Sequence, residues 1–153
     1  MRRSEATHLP TALRSALDEA LGAGSARTST LELASAAVDA SHYLLNPQAL
    51  IKARSAAEVA TVMGIAHQHH TPLTFRSGGT SLSGQALSAG LLVDVRGHFR
   101  GLAILDDGLR VRVQPGLTVR EVNASLAGLG RRLGPDPASE IACTIGGVVA
   151  NNS

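Results

Sequence analysis

The sequence predicts an α+β domain rather than a doubly wound parallel sheet, and three observations support this fold class. Short segments with strand-like alternation are mixed with segments of helical periodicity along most of the chain. The tripeptide Asp106-Asp107-Gly108 is a hairpin turn signal between two strand-like segments. The length, 153 residues, is that of one domain of ordinary size.

The first 45 residues are predicted to form an N-terminal helical extension. Leucines recur at intervals of four, which predicts a helix over residues 9–22: Leu9, Leu13, Leu17 and Leu21. An Ala-rich stretch predicts a second helix over residues 30–40, after a linker of small residues.

Shorter alternating elements follow the extension. Residues 49–53 are predicted to form a strand, and Ser55 and Glu58 then have the spacing of a capping box, in which each side chain satisfies the other's backbone N–H. The helix that this box opens is predicted to run to about His70, and the next strand covers residues 72–77.

The pattern continues with more strands and one more helix. Residues 90–96 and 109–114 alternate between apolar and polar side chains, which predicts two half-buried strands. Thr118 and Glu121 form a second predicted capping box, and its helix ends near Gly130.

Composition and charge exclude several function classes. The chain has two phenylalanines, one tyrosine and no tryptophan, too few aromatics for a platform that stacks single-stranded nucleic acid. A net charge of +2, spread along the chain, does not provide the basic surface that duplex DNA requires. We therefore expect no nucleic-acid partner.

The sequence also bears on location. The single cysteine, Cys143, excludes an internal disulfide and favours a reducing compartment. Asp18 and Glu19 fall where the apolar region of a signal peptide would lie, and no apolar stretch approaches the about 18 residues of a membrane span. We expect a cytoplasmic protein with no transmembrane segment.

Residues 76–85, RSGGTSLSGQ, form a stretch that we call the glycine loop. Gly78 and Gly79 follow a predicted strand and allow a sharp turn whose consecutive N–H groups can bind anionic oxygens. Gly84 permits a second close approach of the backbone to a ligand. Four hydroxyls add further donors: Ser77, Thr80, Ser81 and Ser83. Composition alone leaves a flexible surface loop as an equally good interpretation.

Two nucleotide-binding motifs are excluded. Gly79 and Gly84 have the separation of P-loop glycines, but Gln85 and Ala86 follow where a P-loop requires Lys and Ser or Thr. No G-x-G-x-x-G lies between a strand and a helix, which disfavours a Rossmann dinucleotide site.

A second glycine site lies near the end of the chain. Thr144 precedes Gly146 and Gly147, and an apolar run follows them. We expect Thr144 to cap a short helix whose free N–H groups suit a phosphate. Considered alone, the segment is better explained by a packing contact between small residues.

Three segments together resemble a known family. They are PLTFRSGGTSLSGQ, then LLVDVRGHFRGLAIL with RVRVQPGLTVREVN, and finally LGPDPASEIACTIGGVVANNS. In this order they are similar to the FAD-binding domain of the family that includes vanillyl-alcohol oxidase and D-lactate dehydrogenase. The similarity is greatest to the bacterial D-lactate, glycolate and D-2-hydroxyglutarate dehydrogenase branch.

The resemblance implies a PCMH-type FAD-binding fold of two small α+β subdomains. It covers residues 46–153, after the helical extension of residues 1–45. Members of the family continue through the rest of the FAD domain and a substrate-binding cap, so the domain is expected to be incomplete at its C-terminus. The catalytic His and the substrate arginines of the family lie in that continuation. No catalytic residue is therefore assigned within this chain, and residues 1–153 alone are expected to be inactive as an enzyme.

The resemblance also assigns the cofactor residues. It implies that the FAD pyrophosphate is held by Arg76, Ser77, Gly78, Gly79, Thr80, Ser81 and Gly84. A second strand of the site would comprise Pro135, Asp136, Ser139, Thr144, Gly146 and Gly147. Members that attach FAD covalently through this loop carry His where this chain has Thr80, so we expect FAD to be bound noncovalently.

The implied function is that of an FAD-dependent oxidoreductase. Its small-molecule substrate would be a 2-hydroxy acid such as D-lactate or glycolate, with hydride passing to the flavin, and the branch also implies an iron–sulphur or other electron-acceptor partner. The alternative is a catalytically incomplete flavin- or nucleotide-binding module that acts only with a partner or further domains. A reductase acting on a nucleotide-sugar is a third interpretation.

Two other features receive structural interpretations. His67, His69 and His70 could suggest a metal site, but they fall at a predicted helix C-terminus, where cations complement the helix dipole. A lone cysteine such as Cys143 is more often a small buried thiol than a reactive one. We therefore predict no metal site.

Overall fold

A parallel three-stranded sheet lies at the centre of the larger core in the computed structural model, which describes residues 8–153. The central strand is β3 (Leu91–Asp94), and β1 (Ala49–Lys52) and β2 (Leu73–Arg76) pair with it on either side. All three strands run in the same direction, so their carboxyl ends meet at one edge. That edge carries Lys52, Arg76 and Asp94 in register.

Helices cover both faces of this sheet. On one face, α1 (Thr11–Leu21) and α3 (Ala56–Gln68) pack together, and their apolar side chains share a core with β1 and β3. On the other face, Ala36 at the end of α2 (Thr30–Ala36) packs with Leu50 and Leu92. The predicted helix over residues 9–22 is confirmed, whereas the second helix ends earlier than predicted.

The central strand corrects one sequence interpretation. Leu91, Leu92 and Val93 are all fully buried instead of alternating between core and solvent. A strand in the middle of a parallel sheet has both faces covered, so a continuous apolar run replaces the half-buried pattern.

A hairpin and two helices form the second core. β4 (Leu102–Leu105) pairs antiparallel with β5 (Arg110–Val113), and the Asp-Asp-Gly turn joins them as predicted. They pack with α4 (Val119–Ala127) and α5 (Ile145–Ala150) around the buried Val122 and Leu126. The α+β fold class is therefore confirmed, with a parallel sheet in one core and a hairpin in the other.

The two predicted capping boxes have different outcomes. Thr118 and Glu121 make the reciprocal box, with each side chain accepting from the other's backbone N–H. At α3, Ser55 Oγ accepts from the Glu58 N–H, but the Glu58 carboxylate accepts from the N–H of Arg54 rather than from that of Ser55. The second half of that box is therefore displaced by one residue.

None of the helices within residues 8–153 has the length and apolar character that crossing a bilayer requires.

Candidate functional site

A cavity of about 400 Å³ opens beyond the carboxyl ends of β2 and β3 and is lined by residues of both cores. In parallel sheets, ligands bind at this edge, outside the carboxyl ends of the strands. Its walls are mostly apolar. The predicted site residues that line it are Arg76, Ser77, Gly78, Gly79, Thr80, Ser81, Thr144, Gly146 and Gly147. The structure thus brings the two glycine segments together around one cavity.

The first turn of the glycine loop offers backbone donors to this cavity. Gly79 has a φ of +67°, a conformation that favours glycine. Within residues 8–153, the N–H groups of Gly79, Thr80 and Ser81 have no hydrogen-bond acceptor. Three consecutive backbone donors without a protein partner are the feature expected of a site for anionic oxygens.

Two of the predicted ligand hydroxyls are used inside the protein instead. Ser77 Oγ donates to the Pro115 carbonyl at 3.0 Å, which joins the loop to the second core. Ser81 Oγ donates to Gln85 Oε1 at 2.9 Å and accepts from the N–H groups of Ser83 and Gln85. These hydroxyls shape the loop, and their protons are not free for a ligand.

A direct contact joins the two glycine segments. The Gly78 N–H donates to Thr144 Oγ1 at 3.2 Å, and the Thr144 side chain is fully buried. A Cβ on Gly78 would lie 2.6 Å from the Ala142 carbonyl oxygen, closer than any real contact. Gly78 is therefore required by the close approach of two backbones.

The predicted side-chain cap at the start of α5 is not formed. Thr144 makes no side-chain cap, because its hydroxyl faces Gly78. The N–H groups of Ile145 and Gly146 donate to the carbonyls of Leu117 and Pro115 at 2.9 and 3.1 Å. The first two N–H groups of this helix are thus hydrogen-bonded within the protein. The start of α5 therefore packs against the segment that precedes α4.

The two glycines of α5 differ in their surroundings. A Cβ on Gly146 would lie 2.7 Å from the Cβ of Pro115, so this glycine is needed for packing. A Cβ on Gly147 would meet only Thr144 Oγ1, at 3.9 Å. Because Gly147 lines the cavity, a side chain there has room within the protein but would occupy space at the cavity wall.

Arg76 is the only titratable side chain among the described residues that line the cavity. Its guanidinium donates to the Ala36 carbonyl at 2.9 Å and lies beneath Gly79. Burial lowers the pKa of Arg76, and the nearby Asp39 carboxylate acts in the opposite direction. Arginine remains charged despite such a shift, so the site carries one positive charge.

Other predicted site residues lie outside the cavity lining. Gly84 has a φ of +74° and faces the ring of Tyr43. Asp136 forms an ion pair with Arg132 at 2.6 Å. The Pro135 and Ser139 side chains also do not line the cavity. These four predicted site residues therefore do not contribute to the cavity wall.

Ten further residues, most of them apolar, line the cavity and were not among the predicted site residues. The residues concerned are Ala56, Val59, Phe75, Gln85, Ala86, Val95, Phe99, Pro115, Ala150 and Asn151. Ala56 and Val59 begin the helix after β1, and Val95 follows β3 directly. The signal that could have found them is the parallel pairing of these strands, because segments after parallel strands meet at one edge.

A second cavity of about 400 Å³ lies between the 22–27 segment and the start of α3. Its charged lining is largely paired, as Arg27 contacts Glu32 at 2.6 Å and Arg54 contacts Glu58 at 2.9 Å. None of the predicted site residues lines it.

His67 and His69 lie at the end of a helix, and Cys143 lies in the second core. His67 lies in the last turn of α3, and His69 ends that helix. Within residues 8–153, no three His, Cys, Asp or Glu side chains are grouped as a metal site. Cys143 is a buried thiol in the second core, as predicted.

Comparison with known proteins identifies the chain's relatives. The family model described as an FAD binding domain matches residues 47–153. The chain is 34% identical to a glycolate oxidase subunit of Escherichia coli over 115 residues, which cover 74% of this chain and 23% of that protein. It is 35% identical to a D-2-hydroxyglutarate dehydrogenase of Pseudomonas putida over 117 residues, which cover 74% of this chain and 12% of that protein. The chain thus spans about a quarter or less of the length of these relatives.

Solved structures share the fold. An alkyldihydroxyacetonephosphate synthase superposes with a TM-score of 0.80 at 17% identity, covering 97% of this chain and 31% of that one. A p-cresol methylhydroxylase superposes with a TM-score of 0.73 at 15% identity, covering 90% of this chain and 28% of that one. The predicted fold is therefore confirmed.

Proposed function

The chain belongs to the FAD binding domain family, and on that premise we propose that it binds the FAD of an oxidoreductase that acts on a 2-hydroxy acid. Residues 46–153 would form the FAD-binding domain. Residues 1–45 would be its helical extension, although α1 shares a core with the sheet.

One observation carries the proposal. The unpartnered N–H groups of Gly79, Thr80 and Ser81 lie at the wall of the same cavity as the Arg76 guanidinium. A diphosphate is bound by several convergent neutral donors and needs little cationic charge. The loop offers three backbone N–H groups and a single guanidinium. The donor set therefore fits the FAD pyrophosphate, while the apolar lining suits a planar ring system.

FAD and the residues of this chain would have different roles in the proposed reaction. FAD, when bound, supplies the two-electron acceptor for oxidation of the alcohol carbon. The residues of this chain bind and orient the cofactor, and Thr80 offers a hydroxyl that cannot make the histidyl–flavin bond. We propose that binding is noncovalent.

The substrate class is proposed from the relatives. The curated relatives include proteins named glycolate oxidase subunit, D-2-hydroxyglutarate dehydrogenase and D-lactate dehydrogenase. All three names refer to small 2-hydroxy acids, so we propose that a compound such as D-lactate or glycolate is oxidised to the 2-oxo acid. An iron–sulphur or other electron acceptor would receive the electrons, in a cytoplasmic enzyme.

A second candidate function is favoured by the lack of a base at the cavity. Arg76 cannot accept the hydroxyl proton of a 2-hydroxy acid, and no other titratable side chain in residues 8–153 lines the cavity. This favours a cofactor-binding module whose substrate proton is accepted by a group from a partner or another segment.

The proposal is tested by titrating the chain with FAD and following flavin fluorescence. Gly147→Val should weaken binding about tenfold or more, because it fills the cavity wall without strain. Gly64→Val is the matched control, since Gly64 is also a helical glycine. A Cβ on Gly64 would have no neighbouring atom within 4 Å, and this residue lies away from the cavity. Equal binding by both variants, or no FAD binding by the parent chain, would contradict the proposal.

A further inference from the structure

The segment before β1 makes a series of contacts along the glycine loop. We call residues 36–43, which begin at the last residue of α2, the strap. The N–H of Ala40 donates to the Gly79 carbonyl at 3.1 Å. The Gly79 carbonyl belongs to the same peptide group as the unpartnered N–H of Thr80. The bond therefore restrains the turn that faces the cavity.

Two further contacts reach other parts of the loop. At its start, the Arg76 guanidinium donates to the Ala36 carbonyl at 2.9 Å. Near its end, the Tyr43 ring lies so close that Cδ2 would be 2.9 Å from a Cβ on Gly84. The strap therefore contacts the beginning, the first turn and the end of the loop.

Asp39 lies in the chain between Ala36 and Ala40, the two strap residues that hydrogen-bond to the glycine loop. Its Oδ1 accepts from the N–H of Ser41 at 2.8 Å, which turns the strap, while Oδ2 is buried with no hydrogen-bond partner among residues 8–153. Burial raises the pKa of Asp39, but its overall shift is downward, because the hydrogen bond from Ser41 and the charge of Arg76 lower it.

We propose that the strap holds the glycine loop in the conformation that faces the cavity, with Asp39 as its positioning residue. The inference rests on the proposed function only for the identity of the ligand. A carboxylate beside a pyrophosphate site would by itself repel the anion, so an electrostatic role and a positioning role predict opposite effects of its removal on FAD affinity.

Hydrogen exchange of the cofactor-free chain tests the inference without any ligand. In Asp39→Ala, we expect peptides that cover residues 76–85 to exchange about tenfold faster, since a hydrogen-bonded anchor is lost. Asp18→Ala is the matched control, because Asp18 also accepts a backbone N–H, that of Gly24 at 3.1 Å, far from the loop. Asp39→Asn keeps the shape and the Ser41 contact, and it should show a smaller increase in a protein that stays folded.

FAD titration of the same variants separates the two hypotheses. We expect Asp39→Ala to bind FAD about tenfold more weakly than the parent, and Asp18→Ala to bind like the parent. Unchanged loop exchange in both Asp39 variants, or unchanged or tighter FAD binding by Asp39→Ala, would overturn the inference. Faster loop exchange in a chain whose parent binds no FAD would overturn the proposed function and leave the strap's role in place.

Discussion

The N–H of Gly78 donates to the hydroxyl of Thr144, residues 66 positions apart in the chain. This hydrogen bond joins the loop after β2 to the segment before α5, and hence one core to the other. The cavity depends on this junction because both segments line it.

Removing the Thr144 hydroxyl should loosen the junction. Thr144→Val leaves the part-buried Gly78 N–H without an acceptor, which should lower the free energy of unfolding by about 1–3 kcal/mol. Thr144→Ser keeps the hydroxyl and should lose less. Urea unfolding of both variants measures the difference, and a Val variant as stable as the Ser variant would show that the bond contributes little.

A branched side chain at Gly79 should affect both stability and binding. Its φ of +67° predicts a cost of about 1–3 kcal/mol for Gly79→Val. Gly130→Val, at a φ of +63° with nothing within 4 Å, should carry the same backbone strain without the contact that a Cβ on Gly79 would make with the Arg76 guanidinium. Only Gly79→Val should also weaken FAD binding beyond its stability loss. FAD affinity like that of the parent would mean that this loop is not the phosphate site.

The attachment of FAD can be tested by acid precipitation. We expect all flavin to appear in the supernatant as FAD, because Thr80 has no nitrogen with which to form the histidyl link. Flavin that remains on the washed polypeptide would disprove noncovalent binding.

The Thr118–Glu121 capping box should make stability depend on pH. Hydrogen bonds from Thr118, first its backbone N–H, hold the pKa of Glu121 below its ordinary value. A carboxyl with a lowered pKa in the folded state contributes stability above its unfolded pKa of about 4.3, and this is lost as pH falls through the folded pKa. Glu121→Gln should therefore melt below the parent at pH 7, and the gap should narrow in acid. A gap that is constant down to pH 3 would contradict this assignment.

Local sequence signals predicted most of the secondary structure. The four-residue leucine spacing indicated α1, and Thr118 with Glu121 indicated the start of α4, because both depend on neighbouring residues. The burial of β3 was missed, since it results from strands on both sides that the alternation pattern cannot show.

For the candidate site too, the sequence indicated local features but not contacts between residues that are distant in the chain. The positive φ of Gly79 was predictable because a turn leaves a local signature in the sequence. The role of Thr144 was misjudged because its partner, Gly78, is distant in sequence. The strap could not be found from composition, since Ala40 contributes only its backbone N–H.

Backbone amide spectra of the ¹⁵N-labelled chain during FAD titration show which residues the cofactor contacts. We expect the signals of Gly79, Thr80, Ser81 and Gly147 to shift with FAD concentration, because these residues line the cavity. Signals near Gly24, at the second cavity, should stay in place. Shifts that centre on Gly24 while the Gly79–Ser81 signals remain unmoved would contradict the assignment of the glycine loop as the cofactor site.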